Sequence, residues 1–430
     1  MDHPPWHRVF AQRKMAALTL LGLSSGLPFL LVGDTLKAWM TSAKVDLATI
    51  GFTSLVAIPY SLKFLWSPLV DRYCPPLFGR RRGWIALAQI GLAAAIGALA
   101  MADPREAVLG FAAIALAVAF LSATQDIAVD AYRADVLLPR ETGVGVSVFV
   151  LGYRIALLAT GSLALVLADH LTWPVVYQLL AVLMLVGLAA TAWAPEPARA
   201  ATPPATLDAA VVEPFLDFFG RSGWRALAIL AFVTLYKLGD SMAATMATPF
   251  LLERFSQADV GAIKGGVGLG ATIVGTLAGG AILARIGINR ALWAFGFLQV
   301  VSNLGYFLLA HVVAGEGAPT PGTTSPSYPL MVTCIVIENL CAGLGTAGFI
   351  AFLMSLCSPS FSATQYALLT SFMAFSRDIL VSPAGAIAKA QGWPAFFLIT
   401  VAAGLPGLVL LPFFAPWRAS DGDPVTAARS

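Results

Sequence analysis

The chain has 430 residues, of which 58% are hydrophobic and only 11% are charged. A soluble domain carries about 25% charged residues, so this composition excludes an ordinary soluble protein. The net charge of +3, without long basic runs, argues against nucleic acid as a partner, and four cysteines without a CxxC pair argue against a zinc site.

Twelve apolar segments follow one another along the chain. A helix needs about 20 apolar residues to cross the ~30 Å hydrocarbon core of a bilayer, and each segment is close to or above that length. The predicted spans are residues 15–39, 48–70, 84–102, 107–132, 143–168, 174–194, 226–250, 262–284, 290–313, 328–356, 364–388 and 393–415. This pattern predicts an all-α membrane protein with twelve transmembrane helices.

The charges in the loops assign an orientation. With both termini in the cytoplasm, the cytoplasmic segments hold 16 lysines and arginines, whereas the external loops hold five. This asymmetry obeys the positive-inside rule. If the assignment of loops to the two sides of the membrane were shifted by one helix, the asymmetry would disappear. We therefore expect both termini on the cytoplasmic side.

The longest internal loop divides the twelve segments into six and six. Its start is a proline-rich linker, and its later part, from Leu207 to Phe219, predicts a helix lying along the membrane surface. The predicted domains are an N-terminal six-helix bundle (1–194), a cytoplasmic linker with the surface helix (195–225), a C-terminal six-helix bundle (226–418) and a polar tail (419–430).

The two halves carry matched features. Gly33-Asp34 in the first span corresponds to Gly239-Asp240 in the seventh, and Arg154 in the fifth span corresponds to Arg377 in the eleventh. Matched features in matched helices indicate two parallel, pseudo-symmetric six-helix repeats.

The loop between the second and third spans carries a signal of its own. It reads Asp71-Arg72, then Gly79 followed by three arginines, and it resembles the signature loop of the major facilitator superfamily. In that family the aspartate and arginine of the loop latch the two halves together on the cytoplasmic side. The resemblance predicts a cytoplasmic gate formed by Asp71, Arg72, Arg80 and Arg81. The alternative is a set of solvated positive-inside charges.

Eleven charged residues lie inside the predicted helices. A charge at the bilayer centre costs at least ~2.5–3.5 kcal/mol, so these side chains must line a wet cavity or pair with each other. They are Lys37, Lys63, Arg154, Lys237, Arg377, Asp34, Asp126, Asp130, Asp240, Glu338 and Asp378.

The acids among them are candidates for proton coupling. Asp126 and Asp130 are four residues apart on one helix face, and two close carboxylates resist joint ionisation. One of them is therefore expected to bind a proton near neutrality, which proton coupling requires. The alternative is that Arg133 simply neutralises Asp130. The predicted proton-coupling residues are Asp126, Asp130, Asp34, Asp240 and Glu338. Asp34 of the first span and Asp240 of the seventh each have a lysine three residues away, so for these two acids a structural salt bridge is the alternative.

The cations and nearby aromatic residues indicate the class of solute. Lysine and arginine suit a solute with carboxylates, and aromatic faces suit sugar rings. The predicted substrate-binding residues are Lys37, Trp39, Tyr60, Lys63, Gln125, Tyr153, Arg154, Tyr236, Lys237, Asn339 and Arg377. For any single aromatic residue, packing or a place in the interfacial belt is the alternative.

Several chemistries have no support in the sequence. There is no P-loop for ATP hydrolysis, and the four histidines do not cluster for a metal. We therefore expect a protein that is not an enzyme and has no cofactor beyond a coupling proton. Four glycines of the eighth span, Gly266, Gly270, Gly275 and Gly279, instead predict close helix packing.

Long strings of the sequence closely resemble the AmpG-type muropeptide permeases of Gram-negative bacteria. The strings include Leu36–Met40, Lys63–Pro68, Asp71–Trp84, Ser122–Tyr132, Tyr236–Asp240 and Glu338–Cys341, and the resemblance covers about residues 15–415. It implies proton-driven import of anhydro-muropeptides (GlcNAc-1,6-anhydro-MurNAc with or without stem peptide) from periplasm to cytoplasm by alternating access.

The resemblance also implies a setting. The protein would be a multi-pass protein of the bacterial inner membrane, a monomer in contact with lipid and the muropeptide, that feeds peptidoglycan recycling and influences β-lactam resistance. The alternatives are a transporter of another sugar or drug-like solute, including efflux, a membrane-embedded enzyme, and a sensor that transports nothing.

Overall fold

The computed structural model describes residues 12–45, 56–76, 78–105, 108–138, 141–197, 206–315 and 325–417. Over these ranges the chain forms helices and no strand. The helices are α1 (Arg13–Leu31), α2 (Asp34–Ser42), α3 (Ile58–Leu62), α4 (Ser67–Arg72), α5 (Gly79–Met101), α6 (Val108–Val136), α7 (Thr142–Leu158), α8 (Ala164–Ala168), α9 (Trp173–Trp193), α10 (Leu207–Ser222), α11 (Arg225–Leu235), α12 (Leu238–Leu252), α13 (Gln257–Ala262), α14 (Leu269–Gly315), α15 (Tyr328–Leu356), α16 (Ser362–Val381), α17 (Ala384–Gln391) and α18 (Trp393–Leu410). A 3₁₀ turn at Lys63–Leu65 joins α3 to α4, and π-helical turns occupy Ala159–Leu163 and Ile263–Gly268.

Nine helices of the described ranges are long and apolar enough to cross a membrane. One of them, Asp259–Gly315, covers both the eighth and the ninth predicted span, with a kink at Gly287, whose φ is 81°. Only glycine adopts that backbone conformation readily, which explains why the chain changes direction there.

Two predicted spans do not appear among those nine helices. The span predicted at 48–70 falls partly on residues 46–55, which lie outside the described ranges, and its remainder is the short helices α3 and α4. The span predicted at 364–388 is interrupted after Val381, because Pro383 lacks the amide hydrogen that a continuous helix requires.

The first and seventh spans are each broken near their middle. The break between α1 and α2 lies at Val32-Gly33, and the break between α11 and α12 lies at Tyr236-Lys237. Asp240 consequently lies in the first turn of α12, where the positive end of the helix dipole stabilises a carboxylate. The two breaks fall beside the Gly-Asp pairs that the sequence repeats.

The chain divides into two compact units. Unit 1 comprises Met1–Phe218 and Cys357–Ser371, and unit 2 comprises Phe219–Leu356 and Phe372–Ser430. The segment Cys357–Ser371, here called the docked segment, therefore packs with unit 1 although it comes from the second half of the sequence. The predicted domain boundaries at 195 and 225, and the placement of α10 on the membrane surface, stay predictions.

In unit 1, glycines bring two helix backbones into direct contact. Gly22 of α1 lies against the carbonyl of Phe149, and Gly152 of α7 lies against the carbonyl of Thr19. Backbones approach this closely only where small residues replace bulkier side chains. The contact fixes α7, which carries Tyr153 and Arg154, against α1.

In unit 2, glycines likewise bring the backbones of α14 and α15 into contact. Gly275 lies against the carbonyl of Leu340, and Gly279 lies beside the backbone of Leu344. These two glycines pack as the sequence predicted. For Gly266 and Gly270 the prediction is wrong, because no atom of the described ranges lies within 4 Å of a Cβ built at either position.

Replacing Gly152 by alanine tests the importance of the α1–α7 contact. The added methyl group would overlap the Thr19 carbonyl and the Leu23 amide, both backbone atoms that cannot rotate away. We expect Gly152→Ala to lower the free energy of unfolding by about 1–3 kcal/mol or more. Thermal unfolding of the purified protein in detergent measures the change.

Gly97→Ala in α5 is the matched control. A Cβ there meets no atom within 4 Å among the residues that the structure describes. Alanine is more favourable than glycine inside a helix by about 0.5–1 kcal/mol, so this variant should be unchanged or slightly more stable. Equal destabilisation by the two changes would contradict the packing argument.

Candidate functional site

A buried ionic network in unit 1 contains the predicted gate residues. Asp71, at 0% exposure, accepts a bond from Arg81, with Nη1 to Oδ1 at 2.8 Å. Nε of Arg81 donates to Oδ2 of Asp135, also at 2.8 Å. These three side chains, here called the Asp71 network, place one guanidinium between two carboxylates, so each buried charge has an opposite partner.

The docked segment binds directly to the Asp71 network. The backbone amide and the hydroxyl of Thr364 donate to Oδ2 of Asp71 at 2.8 and 2.7 Å. Ser362 accepts from Arg81 at 2.8 Å and donates to Asp135 at 2.9 Å. Asp71 therefore sits at the N-terminus of α16, where the helix dipole and free amides favour a negative charge.

The other two predicted gate residues are peripheral. Nη1 of Arg80 donates to the backbone carbonyl of Asp71 at 3.4 Å, and Arg72 stacks on the ring of Tyr73. The sequence did not predict a gate role for Asp135, Ser362 or Thr364. Asp135 has the pattern of an ordinary loop charge. Ser362 and Thr364 lie more than 200 residues from their partners.

The two carboxylates of α6 have different surroundings. Oδ1 of Asp130 is 2.8 Å from Nη2 of Arg133, and its Oδ2 is 3.9 Å from Nζ of Lys63. The geometry at Asp130 thus matches the alternative in which Arg133 neutralises it. Asp126 instead lies near the hydroxyl of Ser25 and in the positive field of Lys63.

A chain of buried hydrogen bonds ends at Ser25, beside Asp126. The successive donors and acceptors are Thr191 to Gln89 at 2.7 Å, Gln89 to Ser24 at 3.0 Å, Ser24 to Gln125 at 3.4 Å, and Gln125 to Ser25 at 3.3 Å. The Ser25 hydroxyl therefore accepts from Gln125, and its own hydrogen is left for another acceptor. Gln125, a predicted substrate ligand, is occupied within this chain.

Predicted substrate ligands gather around Asp126. Tyr60 and Tyr153 both interact electrostatically with its carboxylate, as does Lys63. Phe29 packs edge-on against Tyr60, with ring centroids 5.6 Å apart. The Tyr60 hydroxyl is buried and has no hydrogen-bond partner within the described ranges. This group, called the Asp126 cluster, combines an acid, a lysine and two aromatic rings.

Two predicted aromatic ligands pack inside their units. Trp39 is buried among Phe111, Trp173 and Tyr177, with its ring centroid 4.7 Å from that of Tyr177. Tyr236 is buried as well, stacks on Phe349 and donates its hydroxyl to a backbone carbonyl at 2.8 Å. These contacts bury both rings in the apolar interiors of their units.

Unit 2 brings together a second acidic group. Lys237 lies 3.2 Å from Asp240, which also accepts from Gln299. Glu338 accepts from Asn339 at 2.9 Å and lies in the field of Asp240, Lys237 and Lys264. The local salt bridge that the sequence left as an alternative for Asp240 is therefore present. Lys264 and Gln299 were not singled out in the sequence.

The remaining predicted cations differ in their contacts. Arg154 is half-buried, and within the part of the chain that the structure describes no carboxylate or hydrogen-bond acceptor contacts it. Lys37 and Arg377 both make contacts, and Arg377 is exposed. The side chains of Asp34 and Asp378 lie outside the described residues. Within the described ranges no group of three metal-ligating side chains occurs.

Comparison with known proteins decides the family. The sequence model of the Major Facilitator Superfamily matches residues 15–318. The Anhydromuropeptide permease of Escherichia coli (strain K12) is 47% identical over 407 residues, covering 94% of this chain and 80% of that protein. The chain belongs to the major facilitator superfamily, in its AmpG-type permease family. It is a transporter and not an enzyme.

Other relatives agree with this family. An AmpG-type transporter of Rickettsia conorii (strain ATCC VR-613 / Malish 7) is 31% identical, covering 94% of this chain and 97% of that protein. The proton:xylose symporter XylE shares the fold at a TM-score of 0.67 and 10% identity, covering 95% and 96% of the two chains. The human organic anion transporter MFSD10 gives 0.61 at 18% identity, covering 95% and 100%. At such identities the structures show the fold alone.

The substitution Asp71→Asn tests how much the Asp71 network stabilises the docked segment. Asparagine keeps the shape but removes the charge that pairs with Arg81 and faces the N-terminus of α16. Breaking a buried ion pair costs about 3–5 kcal/mol. We expect a lower unfolding temperature and faster amide hydrogen exchange in residues 358–366.

Glu196→Gln is the control for this prediction. Glu196 is paired with Arg82 at 3.2 Å, but its side chain is 55% exposed. An exposed pair contributes about 0–1 kcal/mol, so exchange in the docked segment should not change. If both variants behave alike, the network does not hold the segment.

Proposed function

We propose that this permease imports anhydro-muropeptides from the periplasm into the cytoplasm, using the proton gradient across the bacterial inner membrane. The solute would be GlcNAc-1,6-anhydro-MurNAc with or without its stem peptide. The observation that carries this proposal is the 47% identity to the Escherichia coli permease, which extends over 94% of the chain. In this orientation both termini and the Asp71 network face the cytoplasm, and the protein acts as a monomer.

The chemistry of the Asp126 cluster fits a proton-coupled solute site. Among the residues that the structure describes, no arginine is bound to Asp126. The hydroxyl of Ser25 lies near its carboxyl group, and a hydroxyl can donate to a carboxylate or accept from a carboxylic acid. Ser25 can therefore serve either protonation state. Tyr60 and Tyr153 add aromatic surface and hydroxyl groups suited to a sugar.

Arg154 is the cation best placed by its contacts to bind the carboxylates of the solute. A partly buried guanidinium without a protein carboxylate binds an anion strongly, because its charge is otherwise uncompensated. In the solute without a stem peptide, the anhydro-muramic acid moiety carries a free lactyl carboxylate. In the peptide-bearing solute that group is an amide, and the peptide supplies the carboxylates. Lys63, by contrast, lies near Asp130 and Asp126 and helps balance them.

The docked segment supplies a gate in this proposal. Docking of Ser362 and Thr364 on the Asp71 network would keep the cytoplasmic side closed, and release would open it. The transport cycle is then alternating access, in which solute and proton together favour release.

Uptake into reconstituted vesicles tests proton coupling. With an imposed pH gradient, labelled anhydro-muropeptide should accumulate, and collapse of the gradient should end accumulation. Asp126→Asn removes the proton-binding group, so it should abolish uphill uptake while sparing solute exchange. Asp169→Asn, an exposed acid, should behave as wild type. Accumulation that survives collapse of the gradient would rule out proton coupling.

Substitution of Arg154 tests the solute class. A hydrogen bond to a charged group contributes about 1.5–3 kcal/mol, so Arg154→Gln should raise KM for the anhydro-disaccharide about 10- to 100-fold. Arg225→Gln, another half-buried arginine, should leave KM unchanged. Transport of a neutral sugar or a drug by the wild type, without competition from the anhydro-disaccharide, would favour the alternative solutes.

A further inference from the structure

Unit 2 holds two opposite charges that lie near each other without forming an ion pair. Lys264, in the π-helical turn Ile263–Gly268, and Glu338 of α15 lie in each other's electrostatic field, and both side chains are partly buried. Within the described part of unit 2, no carboxylate contacts the Lys264 ammonium group and no cation contacts the Glu338 carboxylate. Charges sheltered from water are normally paired directly, so this separation is unusual.

A neutral partner on another helix holds Lys264. Its Nζ donates to the hydroxyl of Thr248 in α12 at 2.6 Å. An ammonium group has three hydrogens to donate, so two remain for other acceptors. Cβ atoms built at Gly265 and Gly266, the next two residues of the turn, would meet no atom of the described ranges within 4 Å. The backbone beside Lys264 therefore leaves room for a ligand.

A neutral partner also holds Glu338. Its Oε2 accepts from Nδ2 of Asn339 at 2.9 Å, and Oδ1 of Asn339 in turn accepts from the hydroxyl of Thr272 at 2.9 Å. A carboxylate accepts through two oxygens, and over the described ranges no donor contacts Oε1 of Glu338. Asn339 thus orients the carboxylate and leaves its second oxygen for another donor.

The neighbouring charges of unit 2 are compensated differently. Lys237 pairs with Asp240 at 3.2 Å, and Asp240 also accepts from Gln299. Lys237 acts on Glu338 only through its field, without contact. Among these four charged residues as the structure describes them, Lys264 and Glu338 are consequently the two that have no ionic partner in contact.

We propose that Lys264 and Glu338 bind the zwitterionic end of an amino acid in the solute, with its carboxylate on Lys264 and its ammonium group on Glu338. An amino acid whose amino and carboxyl groups are both free carries opposite charges on one carbon atom. Placed between the two side chains, it gives each of them an opposite charge and a hydrogen-bond partner. The inference rests on the proposed function, because the stem peptide of a muropeptide is the part that carries such a group.

A simple anion or a simple cation fits this pair less well. An anion on Lys264 adds negative charge to a cluster that already holds Glu338 and Asp240, and a cation on Glu338 lies in the field of Lys264 and Lys237. A zwitterion adds no net charge, so it avoids both repulsions. A sugar hydroxyl forms hydrogen bonds with either side chain but leaves both charges without an ionic partner.

Binding to the full chain in lipid nanodiscs, without a pH gradient, tests the inference. Three synthetic solutes are compared by titration calorimetry. They are the bare anhydro-disaccharide, the same disaccharide with a stem peptide that ends in a diamino-dicarboxylic acid, and that peptide with its free amino group acetylated. In the wild type, acetylation should raise Kd about tenfold or more, because it removes the ammonium group that Glu338 binds.

Glu338→Gln and Lys264→Gln test the two contacts separately. In Glu338→Gln the acetylated and free peptides should bind within about threefold of each other, because the ammonium group has lost its partner. Lys264→Gln should raise Kd for the free peptide about tenfold or more. Both variants should bind the bare disaccharide as the wild type does, which also shows that they are folded. Lys389→Gln, at an exposed lysine of α17 in the same unit, is the matched control and should bind all three solutes normally.

Three results would overturn the inference. They are an acetylated peptide that binds the wild type as well as the free one, a Glu338→Gln variant that keeps the full wild-type preference, and a wild type that binds neither peptide. Failure of the proposed function looks different. In that case the vesicles would not accumulate solute under a pH gradient, while the nanodisc measurements, which contain no gradient, would still show the preference for the free peptide.

Discussion

The cost of an unpaired charge away from water is the constraint on which this structure depends. A membrane-spanning helix can carry an ionised side chain only where a partner charge, a polar group or water compensates it. In unit 1 the Asp71 network satisfies this condition with one arginine and two aspartates. Asp130 satisfies it with Arg133, at 2.8 Å. In unit 2, Lys237 and Asp240 satisfy it within a single turn.

The same constraint distinguishes charges that the protein pairs fully from charges that it pairs only in part. A fully paired group such as Arg81 contributes to the architecture, because removing either partner leaves a buried ion. Arg154 and Asp126 differ. Over the described ranges no carboxylate contacts Arg154, and Asp126 lies near a hydroxyl group and in the field of Lys63. Where the protein compensates a buried charge only in part, a solute or a proton can supply the rest of the charge balance.

Helix α6 connects these two kinds of charge. Along one helix it presents Asp126 to the predicted solute ligands, Asp130 to Arg133, and Asp135 to the docked segment. A rigid helix keeps these groups at constant spacing, so a change of charge at one turn is felt at the next without rearrangement of the backbone. The glycine contacts between α1 and α7 hold the surrounding frame equally firmly.

The sequence by itself determined the class of the protein and the inventory of its charges. Apolar length alone predicts membrane helices, because the bilayer imposes one length on every span, and the Asp71 loop and the long matching strings identify the family. The breaks in the first and seventh spans were not predicted, because hydropathy does not distinguish a broken helix from a continuous one, although they fall beside the Gly-Asp pairs that the sequence repeats. Helix packing by glycine was right at Gly275 and Gly279 and wrong at Gly266 and Gly270, since small size permits contact without requiring it.

Only the tertiary structure decided which charges meet. Arg133 has the pattern of a loop charge but is buried between Asp130 and Tyr366, and its bond to Tyr366 joins residues 233 positions apart. Trp39 and Tyr236 have the composition of a sugar site but fill cores. Local patterns record hydropathy and spacing, whereas pairing depends on which distant helices pack together, and no periodicity along the chain encodes that.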